Sequence, residues 1–107
     1  MNNTKWREVL AVLANSENLR SPIRWRFVDD ERIFYQPVPP AGSLLVYSLP
    51  DMLPAPFALY NEIDWIEVPS QEDGRNDLDK LWSELWGLGF LPLSRSNSCL
   101  RITGYIW

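Results

Sequence analysis

Apolar residues recur with the period of a helix in two segments of this chain and with the period of a strand in most of the remainder. This order restricts the fold more than any other feature of the sequence. The first helix is predicted at about residues 4–15, with Asn3 or Thr4 as its N-cap. The second is predicted to be capped by Asn76 and to end near Gly87. The two apolar stripes consist of Trp6, Val9, Leu10 and Leu13, and of Leu78, Leu81, Trp82, Leu85 and Trp86.

The segments between and after the helices either alternate between apolar and polar residues or are short and apolar, as strands are. The turns that join them are too short for the helical crossovers that parallel strands need. We therefore expect an α+β fold in a single domain, residues 1–107, with an antiparallel sheet of five to six strands and two amphipathic helices on one face. Strands are predicted at residues 23–27, 32–36, 44–47, 62–68, 90–93 and 99–106, with a strand or an extended approach at 57–60.

The chain has 107 residues, no His and one Cys, which excludes several kinds of site. Without His, the usual acid–base group at neutral pH and the commonest transition-metal ligand are absent. One Cys cannot form an internal disulfide or a cysteine-based zinc site, and we expect Cys99 to be a small buried thiol. The sequence therefore predicts no metal, no cofactor and no enzymatic activity.

No segment approaches the run of about 20 apolar residues that a membrane helix needs. Residues 1–6 lack the basic and apolar blocks of a signal peptide, and a lone Cys is compatible with a reducing compartment. We therefore expect a cytoplasmic protein with no membrane partner.

The negative charge is concentrated in residues 62–84. The whole chain has a formal net charge of −4, whereas this stretch alone holds eight Asp and Glu residues against Arg75 and Lys80. Such a stretch can steer a basic protein partner into place, although a solvated loop and the first turn of a helix also favour acids. The residues predicted to bind the partner are Glu62, Asp64, Glu67, Glu72, Asp73 and Asp77.

The same acidic stretch has two other interpretations. Glu62 and Asp64 are two residues apart in a predicted strand, so they would share a face and could act together as general acid and base. Alternatively, the strand lies at the edge of the sheet, where its charges prevent pairing with other chains. The oligomeric state is left open.

Arg24, Arg26 and Arg32 lie among the aromatic residues of the first two predicted strands, a pattern also found in proteins that bind single-stranded nucleic acid. Cross-strand arginines beside aspartates are more often surface ion pairs, and phosphate binding needs a surplus of cations that this chain lacks. We therefore expect no nucleic acid partner. The tryptophans of the helical stripes and strands are expected in the core.

Two strand motifs and an early Trp resemble those of a family of small uncharacterised bacterial single-domain proteins. They are Glu62–Val68, with the sequence E-I-D-W-I-E-V, Ile102–Tyr105, with the sequence I-T-G-Y, and Trp6. The resemblance implies no catalytic residues, because that family has none assigned. The chain is also similar in format to immunity proteins, which are small acidic cytosolic proteins that neutralise a toxin by binding it.

The sequence therefore favours a non-enzymatic protein-binding module. The leading hypothesis is an immunity protein that neutralises a cognate bacterial toxin through an acidic surface. The alternatives are a carboxylate-dependent enzyme or small-ligand binder that uses Glu62 and Asp64, and a homo-oligomerising structural domain that pairs through a sheet edge or its Trp-rich helix.

Overall fold

The structure is a computed structural model that describes residues 1–51, 56–70, 76–89, 91–96 and 98–105. The order of elements confirms the predicted α+β fold. Two single turns of 3-10 helix lie within the long connection between the second and third strands, at Ala41–Ser43 and Tyr60–Glu62. The helices and strands are α1 (Asn3–Asn15), β1 (Ile23–Phe27), β2 (Ile33–Gln36), β3 (Ile63–Pro69), α2 (Leu78–Trp86), β4 (Leu93–Arg95) and β5 (Cys99–Thr103).

In the described part of the chain, the five strands form one antiparallel sheet in the order β2-β1-β3-β5-β4. The charged strand β3 is therefore central, and its predicted place at the edge of the sheet is wrong. Both helices pack on one face, where their stripes join the core residues of β1, β3 and β5. The opposite face, called the open face below, carries Arg24, Arg26, Trp65, Glu67 and Arg101.

A β-bulge between β1 and β3 changes the alternation along β3. Arg26 pairs with Trp65, but the next residue of β1 pairs with Ile63, so Asp64 is the extra residue. Ile63 and Ile66 are consequently both in the core, although strict alternation predicts opposite faces for them. The Asp64 carboxylate lies 3.6 Å from the guanidinium group of Arg26, beside the open face.

The N-cap of α1 is Asn2 rather than Asn3 or Thr4. Its side-chain oxygen accepts a hydrogen bond from the backbone N–H of Lys5 at 2.8 Å, which satisfies one of the free amides of the first turn. The buried residues of α1 are those of the predicted stripe, and Trp6 is fully buried.

The N-cap of α2 is Asp77 rather than Asn76. The Asp77 carboxylate accepts from the backbone N–H of Lys80 at 3.1 Å. Asn76 is buried instead and joins three segments: it accepts from the backbone N–H of Arg20 and donates to Ser21 and to the carbonyl oxygen of Pro69. A helix cap needs only a local oxygen, whereas the partners of Asn76 are distant in sequence.

The predicted buried strand at residues 44–47 is wrong. Leu45 donates its N–H to the nearby carbonyl oxygen of Ser48 at 3.1 Å, so this segment is a local turn. Among the described residues around it, only Ser48 forms a bridge, with Leu59. The last two strands also differ from the prediction: β4, Leu93–Arg95, begins at the last residue of the predicted strand 90–93, and β5 ends at Thr103. The predicted strand residues Phe90 and Ile106 lie outside the described residues.

The expectation that the tryptophans fill the core holds for Trp6 and Trp25 but not for the end of α2. Trp86 is 56% exposed and stacks on Trp82, with 5.9 Å between ring centroids. The buried side of α2 is narrower than its apolar stripe, because its leucines are buried, whereas Trp82 is only partly buried against the core. Within the residues that the structure describes, neither helix is long and apolar enough to cross a bilayer.

Candidate binding surfaces

Glu67 lies at the centre of the open face, between two arginines. Arg24 and Arg101 are its partners in the strand register, so one residue from each of three adjacent strands meets here. Nε of Arg24 lies 3.1 Å from one carboxylate oxygen, and Nε of Arg101 lies 2.7 Å from the other. The Glu67 side chain is only 12% exposed, against 36% and 42% for the arginines, so the carboxylate lies beneath the two guanidinium groups.

Trp65 shows how the arginines also cover apolar surface. The guanidinium carbon of Arg101 lies 4.3 Å from the Trp65 ring centroid, in a cation–π arrangement. Trp65 is 7% exposed although it does not belong to the core between sheet and helices. Arg26, its cross-strand partner, forms the ion pair with Asp64, and Nε of Arg26 is buried without a hydrogen-bond partner among the described residues. The ion pairs expected for the strand arginines are therefore present.

The structure does not bring the six predicted partner-binding acids together as one free surface. Asp64 and Glu67 are paired with arginines, and Asp77 caps α2. Glu62 is exposed at the end of the second 3-10 turn, where its carboxylate accepts from the backbone N–H of Leu59 at 3.0 Å. The remaining two acids, Glu72 and Asp73, lie outside the described residues.

Glu62 and Asp64, the alternative acid–base pair, have different partners: a backbone amide and an arginine. A groove of about 590 Å³ lies elsewhere, between α1 and α2, and contains Glu17 and Glu84. Among the described residues, no group of three or more His, Cys, Asp or Glu side chains could hold a metal ion.

Cys99 is half-buried on the open face, not fully buried as expected. Its thiol lies 3.8 Å from the Glu67 carboxylate and 3.7 Å from the hydroxyl group of Ser96. The physical reason is the alternation along β5: Leu100 and Ile102 face the core, so Cys99 lies on the opposite, open face.

At the turn between β1 and β2, Asp30 and Arg32 form a surface ion pair at 2.8 Å. Hydrogen bonds from the side chain and then the backbone of Arg32 lower the pKa of Asp30 to about 2. The same contact raises the pKa of Arg32. Asp29 and Glu31 of this turn are exposed.

A second surface was missed by the sequence analysis. Two loop segments, residues 45–50 and 56–60, carry five exposed large apolar side chains, and the most exposed of them is Tyr47 at 67%. We call this set the apolar loop surface: Leu45, Val46, Tyr47, Phe57 and Leu59. The available signal was an apolar, aromatic run within a proline-rich stretch, but the run was interpreted as a buried strand.

Backbone hydrogen bonds hold the two loop segments together. Leu49 donates to Ala58 at 2.9 Å, and Tyr60 donates its N–H to Tyr47 at 3.1 Å. The fully buried Tyr60 also donates its hydroxyl group to the carbonyl oxygen of Leu45 at 2.7 Å. Burial raises the pKa of the Tyr60 phenol, and the charge of Arg7 opposes part of this rise. The exposed side chains are therefore attached to a fixed backbone.

Phe57 has a φ of 54°, in the left-handed region that residues with a Cβ atom seldom adopt. Its N–H donates to the carbonyl oxygen of Pro50 at 3.1 Å, and its side chain is 55% exposed. A bulky residue in this conformation is a strained backbone position that the surrounding contacts maintain.

Exposed acids adjoin the apolar loop surface. Asp51 follows Pro50, the backbone partner of Phe57, and Glu62 follows the second loop segment. The N–H of Val28 donates to the carbonyl oxygen of Glu62 at 2.8 Å, which brings the neighbouring Asp29 to this side of the molecule. The sequence has no Lys or Arg between Arg32 and Arg75, so the two loop segments contribute no positive charge of their own.

The motifs behind the family resemblance meet at one place in the fold. Gly104 donates its N–H to the carbonyl oxygen of Asp64 at 2.7 Å and accepts from the amino group of Met1. Tyr105 donates its hydroxyl group to the carbonyl oxygen of Asn61. Each of these hydrogen bonds has a backbone carbonyl oxygen as its acceptor. The shared motifs therefore hold the end of β5 against the start of β3.

Comparison with known proteins supports that resemblance at the level of the family. Neither the curated proteins nor the solved structures include a significant match to this chain. The immunity-protein format therefore has no support from these comparisons. Residues 1–107, however, match a family of unknown function, DUF6678. The chain therefore belongs to the DUF6678 family.

Proposed function

We propose that this protein is a non-enzymatic binding module that binds a basic partner protein through the apolar loop surface and the acids beside it. The observation that carries this proposal is the exposure of five large apolar side chains on two hydrogen-bonded segments. Exposed apolar surface of this kind is typical of interaction sites, because leaving it in water is unfavourable.

The chemistry of the surface favours a basic partner. Tyr47 and Phe57 provide aromatic side chains, which are common anchors in protein interfaces. Asp29, Asp51 and Glu62 provide exposed negative charge nearby. Such charges accelerate encounter with a positively charged protein and exclude partners of like charge. Glu62 is the one described residue of the predicted acidic set that lies beside the apolar loop surface without an arginine partner among the described residues.

An immunity protein that neutralises a cognate bacterial toxin is the form of binding module that we propose. Such a protein acts by covering a surface of the toxin, so it needs an exposed apolar centre and complementary charge rather than a catalytic site. The net charge of −4 and the acids beside the apolar loop surface support a basic toxin domain as the partner.

The experiment is co-expression with the polypeptide encoded next to this protein's gene, followed by measurement of growth and of the dissociation constant of the purified pair. The test variant is Val46→Thr with Tyr47→Thr. The matched control is Ile33→Thr with Tyr35→Thr, which also replaces one apolar β-branched side chain and one tyrosine of similar exposure by threonine. We expect the test variant to lose growth protection and to weaken binding by at least about 30-fold, and the control to bind like the wild type.

The charge contribution is tested separately with Asp51→Asn and Glu62→Gln. We expect the association rate to fall several-fold at low salt and its salt dependence to weaken, with little change in the dissociation rate. Glu17→Gln, an exposed acid on another part of the molecule, is the control. Equal binding by the wild type and the Val46/Tyr47 variant would remove the apolar loop surface from the proposal.

A further inference from the structure

The open face presents a set of positive charges that the proposed function does not use. We infer that this face binds an acidic segment of a protein through Arg24, Arg26 and Arg101. Its residues do not overlap with those of the apolar loop surface, so this inference does not depend on the proposed function.

The charges on the open face are arranged in two layers. The side chains of Glu67 and Asp64 are 12% and 17% exposed, whereas those of Arg24, Arg26 and Arg101 are 36%, 36% and 42% exposed. Solvent and any approaching molecule therefore meet guanidinium groups first. Three arginines against two carboxylates also leave the face with a surplus positive charge.

The guanidinium groups keep donors available for a ligand. Among the described residues, Arg24 is bonded to Glu67 through Nε, and Arg101 through Nε and one terminal nitrogen, so other terminal nitrogens of both groups have no hydrogen bond. Guanidinium groups bind carboxylates through pairs of parallel N–H donors. Because Glu67 already fixes both side chains, less side-chain entropy is lost when a ligand carboxylate binds.

Of the three arginines, Arg26 has the weakest contact with a carboxylate of the protein. Its terminal nitrogen lies 3.6 Å from the Asp64 carboxylate, which is longer than a hydrogen bond. Next to Arg24 and Arg26, the edge strand β2 adds the exposed side chains of Tyr35 and Ile33, their register partners. A peptide across this face would therefore meet apolar contacts at the edge and arginines at the centre.

An acidic protein segment fits this face better than a nucleic acid does. Three guanidinium groups provide only a short cationic patch, whereas nucleic acid binding draws on many phosphate contacts. The net charge of −4 and the exposed acids Asp29, Asp51 and Glu62 repel a long polyanion. A short run of carboxylates experiences mainly the local charge of the open face.

The test is a titration of the full-length ¹⁵N-labelled protein with an octaglutamate peptide, followed through the Nε–Hε resonances of arginine. We expect saturable shifts for Arg24, Arg26 and Arg101, tighter binding at lower salt, and no shift for Arg20, which is exposed elsewhere. Arg26→Gln and Arg24→Gln should each weaken binding by at least about fivefold, and Arg20→Gln should not. Amide spectra of the variants establish that they are folded.

Three results would overturn the inference. The first is a titration in which octaglutamate moves none of the three open-face resonances. The second is an equal loss of affinity in Arg20→Gln, which would indicate attraction to the whole molecule. The third is tighter binding of octathymidylate than of octaglutamate, which would assign the face to nucleic acid. The Val46/Tyr47 variant should bind octaglutamate normally, so failure of the proposed function would be distinguishable.

Discussion

Trp6 of α1 packs so closely against Gly104, the residue after β5, that a Cβ atom at Gly104 would lie 3.1 Å from Cζ2 of the indole ring. The same Cβ would lie 2.4 Å from the carbonyl oxygen of Ile63. Glycine therefore allows β5 to reach the start of β3 and to form the hydrogen bond to Asp64 beneath the first helix. Trp6, the early Trp, and Gly104, the Gly of the I-T-G-Y motif, therefore pack directly against each other.

Gly104→Ala should destabilise the protein by about 2–3 kcal/mol, because a methyl group at this position displaces backbone atoms in a packed region. Urea unfolding followed by Trp fluorescence measures the change. Gly42→Ala is the matched control, since its Cβ would meet no atom within 4 Å. Similar stability losses in the two variants would contradict the close approach at Gly104.

Glu67→Gln should cost about 1–2 kcal/mol of unfolding free energy, because Arg24 and Arg101 lose the buried charge between them. The half-exposure of both arginines keeps the loss moderate. Thermal and urea unfolding give the value. The side chain of Glu8, the partner of Lys5, is 43% exposed rather than 12%, so Glu8→Gln should change stability by less than about 0.5 kcal/mol.

Asn76→Ala should destabilise the fold by about 2–3 kcal/mol, more than the approximately 1 kcal/mol expected for Asp77→Ala. Asn76 is buried and its partners lie in two other segments, at residues 20–21 and at Pro69, whereas the side chain of Asp77 caps α2. Asp77→Asn should restore most of the capping stability, because asparagine is an equally good cap. The order of stabilities by urea unfolding checks this ranking, and a larger loss in Asp77→Ala would reverse the roles.

Tyr60→Phe should cost about 1–2 kcal/mol, since the carbonyl oxygen of Leu45 loses the hydrogen bond from the buried Tyr60 side chain. The pKa of Tyr60 is raised in the folded state, so its contribution is complete below pH 10 and is lost as the pH rises through the folded pKa. Between about pH 9 and about pH 11, the free energy of unfolding should therefore fall more steeply for the wild type than for Tyr60→Phe. Tyr35→Phe, an exposed change, should leave the pH dependence unaltered.

The sequence was sufficient to predict the helices and strands in which apolar residues recur with a clear helical or strand period. The stripe that begins at Trp6 and the alternation from Ile23 to Phe27 predicted α1 and β1 nearly to their ends. At the start of β3, strict alternation put Ile63 with Trp65 and Asp64 with Ile66, which is wrong, because a bulge inserts Asp64 and no local pattern shows where a partner strand skips a residue. The same bulge brings Asp64 to Arg26.

The two candidate binding surfaces could not be predicted from the spacing of apolar residues, because they depend on which strands pair. The pairing of Glu67 with Arg24 and Arg101 follows from the strand order, which the sequence analysis did not predict. The run from Leu44 to Tyr47 was apolar enough for a buried strand, but a sheet strand needs a neighbour that pairs with its backbone, and among the described residues here only Ser48 has a bridge partner. Hydrophobicity alone does not distinguish a core strand from an exposed apolar loop.

At Phe57, the left-handed backbone lowers the stability of the fold, whereas the side chain adds an exposed aromatic ring to the surface. An aromatic residue there costs about 1 kcal/mol that glycine would avoid, while it presents a ring to solvent. Selection for a more stable monomer alone would favour the change Phe57→Gly and would erase the ring. The phenylalanine at this site therefore exchanges conformational energy for an aromatic ring that is accessible at the surface.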